Sequence, residues 1–305
     1  MVSLLSRAVE VYRQEGFLEL CSGGAKYLNY RMNHWKRRNR IQELIEKEGE
    51  LIERDVNGYR MRLDLTKGGI CSSIALNGYY GKEMTDAFSN ILLKVEEKFD
   101  DLLIFDVGAN IGYFVLLEAH LMDAAPIYAY EPSPENVEML SENILLNGYE
   151  DRVYVNQCAV GAEPGSAELQ LGAHPNDHAI STVNKPNKDM GRISVDVVSI
   201  DDELSQIDFD PSMLIVRMDV EGFEHEVIQG MQGAVESDVP MVVVAELHPT
   251  VPPEEMDHIL SLLDRTGFEL IFDENTPDVE RENLSWEDIS IGVSNTTNII
   301  GTRGI

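Results

Sequence analysis

Positive charge is scarce in this sequence. Lys and Arg number 24 against 54 Asp and Glu, a formal net charge of -30 over 305 residues. Nucleic-acid binding depends on neutralising phosphates with basic side chains, so this balance argues against nucleic acid as a partner. Cysteine is sparse as well: Cys21, Cys71 and Cys158 lie far apart and form no CxxC pair. That pattern argues against a disulfide framework or a sequence-local zinc site and fits a reducing cytosol. Long apolar runs are missing too, and none nears the ~20 residues that a bilayer span requires. Arg7, Glu10, Arg13 and Glu15 stand where a signal peptide keeps an uncharged stretch, so a soluble cytoplasmic protein is expected.

What is present is an ordinary globular composition, 43% apolar, long enough for one substantial core. The acids are spread along the chain instead of forming a tail. That points to adaptation to a high-salt cytoplasm, a halophilic origin, since salt screens the self-repulsion. Residues 1–40 are the exception, with eight bases and three acids, a net +5 that leaves -35 on the rest. Helical spacing of Leu5, Val9 and Tyr12 predicts a first helix, and Ser22-Gly23-Gly24 a break. A basic helix over 26–40 and a polar one over 41–53 should follow. This basic arm of residues 1–55 is expected either to pack as a solvated helical element or to touch an anionic membrane through residues 1–40.

Residues 56–100 form a lead-in: short strands over 54–80, where Tyr59–Leu63 alternates and Asn57-Gly58 signals a turn, then a helix from about Lys82 to Lys98. From 101 to 305 buried strands alternate with helices. The expected fold class is therefore α/β with a mostly parallel sheet covered by helices on both faces. Ligands in such folds sit beyond the carboxyl ends of the strands.

Three strand ends carry chemistry. Asp106-Val107-Gly108-Ala109-Asn110-Ile111-Gly112 is a glycine turn between strand and helix, where the backbone can approach a ligand closely. Its G-x-x-x-G spacing is not the G-x-G-x-x-G of dinucleotide sites, and Asp106 suits a cationic amino-acid portion instead of a pyrophosphate. Glu131, in Tyr130-Glu131-Pro132, closes the next strand and suits the two hydroxyls of a ribose. Met218-Asp219-Val220-Glu221-Gly222-Phe223-Glu224 forms an acidic rim at a third strand end.

Together with Leu103-Ile104-Phe105 before the glycine turn and Ser133-Pro134-Glu135-Asn136 after Glu131, these ordered motifs resemble the FkbM family of S-adenosylmethionine-dependent methyltransferases. Ser199-Ile200-Asp201-Asp202 and Ala245-Glu246-Leu247-His248-Pro249 extend the resemblance, which covers roughly residues 75–250. Arg217-Met218-Asp219 stands where the family often has Lys-Ile-Asp. The resemblance implies a Rossmann-like class I methyltransferase sheet of seven strands, mostly parallel with the last strand antiparallel, preceded here by the N-terminal helical arm. It implies S-adenosyl-L-methionine as cofactor and O-methylation as the activity, commonly of sugars or polyketide-type products. By position, Asp106, Gly108, Asn110 and Gly112 would hold the methionine part, Glu131 the ribose, and Cys158-Ala159 the adenine. Asp219 and Glu221 would face the methyl group or its acceptor.

A hydroxyl acceptor benefits from a base that removes its proton. Candidates at strand ends are Asp219, Glu221, Glu246 and His248, with the base expected among Asp219, Glu246 and His248; His174 and His178 lie on an irregular segment that could form a lid. Tyr79, Tyr80 and Glu83 are placed to cover the site. No spacing demands a metal. The expected function is O-methylation of a sugar hydroxyl in a glycan or glycolipid precursor, at the inner face of the membrane if the arm binds lipid. Three alternatives stand beside it: methyl esterification of a uronic acid, a silent nucleoside-binding scaffold in glycan assembly, and an NAD-dependent oxidoreductase. The acceptor and the oligomeric state are not legible in the sequence.

Overall fold

A computed structural model describes residues 17–172, 178–180, 191–248, 251–272 and 297–305, with backbone alone for 17–30 and 272. The chain divides at Ile52/Glu53 into two units. In the first, a helix α1 runs unbroken over Phe17–Glu48. The break expected at Ser22-Gly23-Gly24 does not occur. Two glycines weaken a helix by only about 1 kcal/mol each, and the good helix formers around them carry it through. None of the helices among the described residues is long and apolar enough to cross a membrane.

The second unit is built on a seven-stranded sheet. Its strands are β3 (Leu102–Val107), β4 (Ile127–Tyr130), β5 (Val153–Asn156), β9 (Met213–Met218), β10 (Met241–Leu247), β11 (Glu269–Phe272) and β12 (Thr297–Arg303). They lie in the order β11-β12-β10-β9-β3-β4-β5. All contacts from β5 to β10 are parallel, and β12 runs antiparallel to both neighbours. The mostly parallel sheet with an antiparallel last strand is thus as expected. Every residue of β3 and β9 is buried, the mark of central strands covered on both faces. Order reverses between β3 and β9, and the crevice at such a switch point is where ligands bind.

Two elements were not foreseen. Residues 69–77 form a helix, α2 (Gly69–Asn77), where short strands were expected. A small sheet joins β6 (Ala159–Val160), β7 (Gly165–Gln170) and β8 (Arg192–Val198) beside the crevice. Before the core lies a hairpin, β1 (Leu51–Val56) and β2 (Tyr59–Asp64), turned by Asn57-Gly58 with both residues at positive φ. An edge strand needs its backbone groups satisfied. For β2, helix Pro134–Asn147 does this with two asparagines one turn apart. Asn143 Oδ1 accepts from Arg62 N at 2.7 Å and Asn147 Oδ1 from Arg60 N at 2.8 Å. Asn143 Nδ2 also donates to Ile111 O at 2.9 Å, which anchors the glycine turn from behind.

Candidate active site

The glycine turn leaves β3 with Gly108 at φ 79°, Asn110 at φ 51° and Gly112 at φ 92°. Asn110 tolerates the left-handed region because its own side chain bonds locally, Oδ1 accepting from Ile111 N at 2.8 Å. Gly108 is required by a close approach: a Cβ there would lie 2.0 Å from the Asp219 carbonyl oxygen. The turn is thereby pressed against the end of β9. Gly112 answers a different need, since a Cβ there would meet Leu140 Cδ1 at 2.7 Å. It packs the turn on the helix and takes no place on the cavity wall, so its expected contact with the cofactor is corrected.

Beyond these strand ends opens a cavity enclosing about 610 Å³ of space, open solvent included. Gly108, Asn110, Glu131, Asp219 and Glu221 supply its polar wall, and Val160, Leu169, Ile180 and Phe223 part of its apolar one. Cys158 and Ala159 line it where the resemblance placed the adenine. Burial pushes the Cys158 thiol up to about 11, so it stays neutral. Glu131 is almost fully buried and binds both sides of the turn. Its Oε2 accepts from Asn110 N at 2.8 Å, and its Oε1 from Ser133 N at 2.9 Å and Asn136 Nδ2 at 3.2 Å. Two carboxylate oxygens offer about four acceptor sites, so capacity remains for a ligand hydroxyl. Burial raises this carboxyl from 4.5 to about 7, against the pull of those donors.

Asp106 is placed differently from expectation. It is fully buried, is absent from the cavity wall, and faces Arg217, its register partner on β9. Arg217 Nη1 donates to the two Asp106 oxygens at 3.2 and 3.3 Å, and Nη2 to Asp219 Oδ2 at 3.2 Å. The guanidinium also stacks 4.0 Å from the Phe114 ring. Direct contact between Asp106 and a cationic ligand is therefore replaced by a buried ion pair that braces β3 against β9. Beside it sits Glu118, which burial and then the Asp106 charge hold well above the usual carboxylate range.

His248, expected as a base, is almost fully buried at the end of β10 between two acids. Its Nδ1 lies 2.7 Å from Glu224 Oε1 and its Nε2 3.2 Å from Glu221 Oε2. Burial disfavours the imidazolium, but hydrogen bonds to Glu221 and Glu224 outweigh it and raise the imidazole to about 11. A ring already protonated at neutral pH accepts no proton, so the base assignment of His248 is withdrawn. Burial also raises Glu221, against the hydrogen bond from His248. Glu221 itself sits at φ 54°, an uncommon conformation for a residue other than glycine.

Glu246 lines a second cavity of about 620 Å³ with Tyr80, Met84, Arg217 and Asn298. Burial raises the Tyr80 hydroxyl, helped by the charges of Asp219, Glu246 and Glu221. Tyr79 and Glu83 are exposed. His178 lines the first cavity and accepts from Gly172 N at 3.0 Å, whereas His174 lies outside the described residues. The sequence reading missed Glu224 and Arg217. A charged residue inside the otherwise apolar Met213–Met218 was the available signal for Arg217.

The family model described as Methyltransferase FkbM domain matches residues 106–270. The hexuronic acid methyltransferase AglP of Haloferax volcanii is 30% identical over 171 residues, 56% of this chain and just under two thirds, 66%, of that protein. The 31-O-demethyl-FK506 methyltransferase FkbM of Streptomyces tacrolimicus is 28% identical over 203 residues, covering 57% of this chain and 75% of that one. A precorrin-6y C5,15-methyltransferase structure from Geobacter metallireducens overlays at TM-score 0.38 with 14% identity, over 71% of this chain and 87% of its own. With more than half of the sequence matched, the chain belongs to the FkbM family of methyltransferases.

Proposed function

We propose that this chain transfers a methyl group from S-adenosylmethionine to an oxygen of a sugar in a glycan or glycolipid precursor. The observation that carries the reading is the buried Glu131 carboxylate on the wall of a cavity at the switch point that Asp219 and Glu221 also line. This donor and acceptor set fits the cofactor. Glu131 takes the ribose hydroxyls, Cys158 and Ala159 pack on the adenine, and the turn at Gly108–Asn110 receives the methionine part. Asp219 and Glu221 complement its positive charge. Bound there, S-adenosylmethionine supplies an electrophilic methyl group and leaves as S-adenosylhomocysteine.

The second cavity, with Tyr80, Glu246 and Asn298, takes the acceptor. An oxygen held in line with the methyl group gains much of its rate from alignment alone. As the new O–C bond forms, the C–S electron pair passes to sulfur. A hydroxyl acceptor loses its proton to Glu246, the candidate carboxylate on that wall. Asp219 is engaged by Arg217, and His248 is already protonated.

A second reading is favoured by the same scarcity of bases. A uronic acid carboxylate needs no deprotonation and would yield a methyl ester, and the name of the Haloferax relative, a hexuronic acid methyltransferase, supports an acidic sugar. Incubation of the protein with methyl-labelled cofactor and a fractionated glycolipid pool tests both. Label retained through mild alkali marks an ether, label released marks an ester, and no transfer to any glycan fraction overturns the proposal. We further propose that the basic segment 1–40 brings the protein to a lipid-linked acceptor. Equal sedimentation with anionic liposomes after removal of that segment would refute this.

A further inference from the structure

Three side chains from two strand ends converge beside the first cavity. Asp219 and Glu221 follow β9, and His248 follows β10. One ligating atom from each lies within 4.8 Å of the others. Ligands bound at about 2.0–2.2 Å to a small divalent ion lie roughly 3–4.4 Å apart, so a few tenths of an ångström of side-chain movement closes the set. Asp219 and Glu221 line the first cavity, so an ion there is reached from it.

The residue behind the histidine supplies a second, independent observation. Glu224 is fully buried, with Oε1 2.7 Å from His248 Nδ1 and also accepting from Gly222 N at 3.0 Å. Its Oε2 is buried without a hydrogen-bond partner. A buried acid is costly unless it has a task, and fixing an imidazole through Nδ1 is the usual outer partner of a metal-ligating histidine. It fixes the ring so that Nε2 faces Glu221, 3.2 Å from Oε2.

We propose that Asp219, Glu221 and His248 Nε2 bind one divalent first-row cation, with Glu224 orienting the imidazole. Two carboxylates and an imidazole suit Mn²⁺ or Zn²⁺ better than a soft ion. Positions left open on the ion face the first cavity and would receive an oxygen of the acceptor where that sugar reaches the methyl group. That contact would hold the acceptor at the methyl group and favour ionisation of its hydroxyl, a task for which the site offers few bases. The acceptor half of the proposal rests on the methyltransferase reading, but the cation half does not.

The test uses the full chain, stripped with chelator and titrated with Mn²⁺ in 2 M KCl, where diffuse binding to the acidic surface is screened. Pulsed paramagnetic resonance follows the bound ion. The proposal expects one Mn²⁺ per chain with nitrogen coupling from an imidazole, and at least tenfold weaker binding in Glu221→Gln and in His248→Gln. Glu254→Gln, an equal charge change on an exposed helix, should stay within twofold. Absence of a one-to-one site, absence of nitrogen coupling, or unchanged affinity in Glu221→Gln would each overturn it. Glu221 is half-exposed, so its variant keeps the test decisive if His248→Gln fails to fold. Calorimetry with S-adenosylmethionine on the stripped protein reads the cofactor site separately, and a failure there leaves the Mn²⁺ result standing.

Discussion

Burial holds the Glu131 carboxyl at about 7, up from 4.5, and this gives the residue opposite pH effects on folding and on binding. In the ligand-free protein the neutral acid is favoured. Its contribution to stability is therefore present below pH 4.5 and is lost as pH rises through 7. Ribose hydroxyls instead donate to the ionised form, so cofactor affinity should fall as pH drops below 7. Calorimetry should show a plateau above 7, weakening toward tenfold per unit below it, and a flat, weaker profile in Glu131→Gln. A wild-type profile that is flat from pH 5 to 8 would contradict this role. Arg217 calls for a stability measurement. Removing one member of a buried ion pair leaves its partner uncompensated, so Arg217→Met should destabilise the protein by about 3–5 kcal/mol in denaturant titration. Its partners Asp106 and Asp219 are otherwise left as buried or half-buried charges.

Elements of the parallel sheet were legible because a strand buried on both faces reads as an unbroken apolar run. Leu102–Phe105 and Met241–Ala245 are such runs, each closed by an acid, and helix Pro134–Asn147 has proline at its start and Gly148 in the left-handed region at its end. The α2 helix was missed because Gly69–Asn77 is apolar nearly all round and shows no helical stripe. Strand ends pointed to Gly108, Asn110, Glu131, Asp219 and Glu221, which the fold gathers around one cavity. What stayed hidden was pairing across strands: Asp106 with Arg217 depends on register, and His248 with Glu224 on packing of two distant segments. Both pairings change the role read from the isolated residue. At Gly23 and Gly24 the weighting was at fault, since two glycines were read as a stop. If α1 is continuous there, Gly24→Ala should slow amide exchange over residues 20–28 about fivefold, the factor that ~1 kcal/mol of helix propensity gives. Unchanged exchange would restore the break.

For the whole molecule, a net charge of -30 sets the conditions under which every other property is measured. Self-repulsion at that charge falls as the screening length shortens from about 8 Å at physiological ionic strength to about 3 Å at 1 M. The melting temperature should therefore rise between 0.15 M and 2 M KCl, and equal values would remove the case for salt adaptation. The buried ion pair of Asp106 and Arg217 is shielded from solvent, so the loss in Arg217→Met should persist at high salt. Binding experiments belong at that salt as well. The central claim is that the cavity beside Glu131 takes S-adenosylmethionine, and calorimetry in 2 M KCl tests it most directly. One-to-one binding of S-adenosylmethionine and S-adenosylhomocysteine without binding of NAD is the predicted result. Binding of NAD alone would contradict the account.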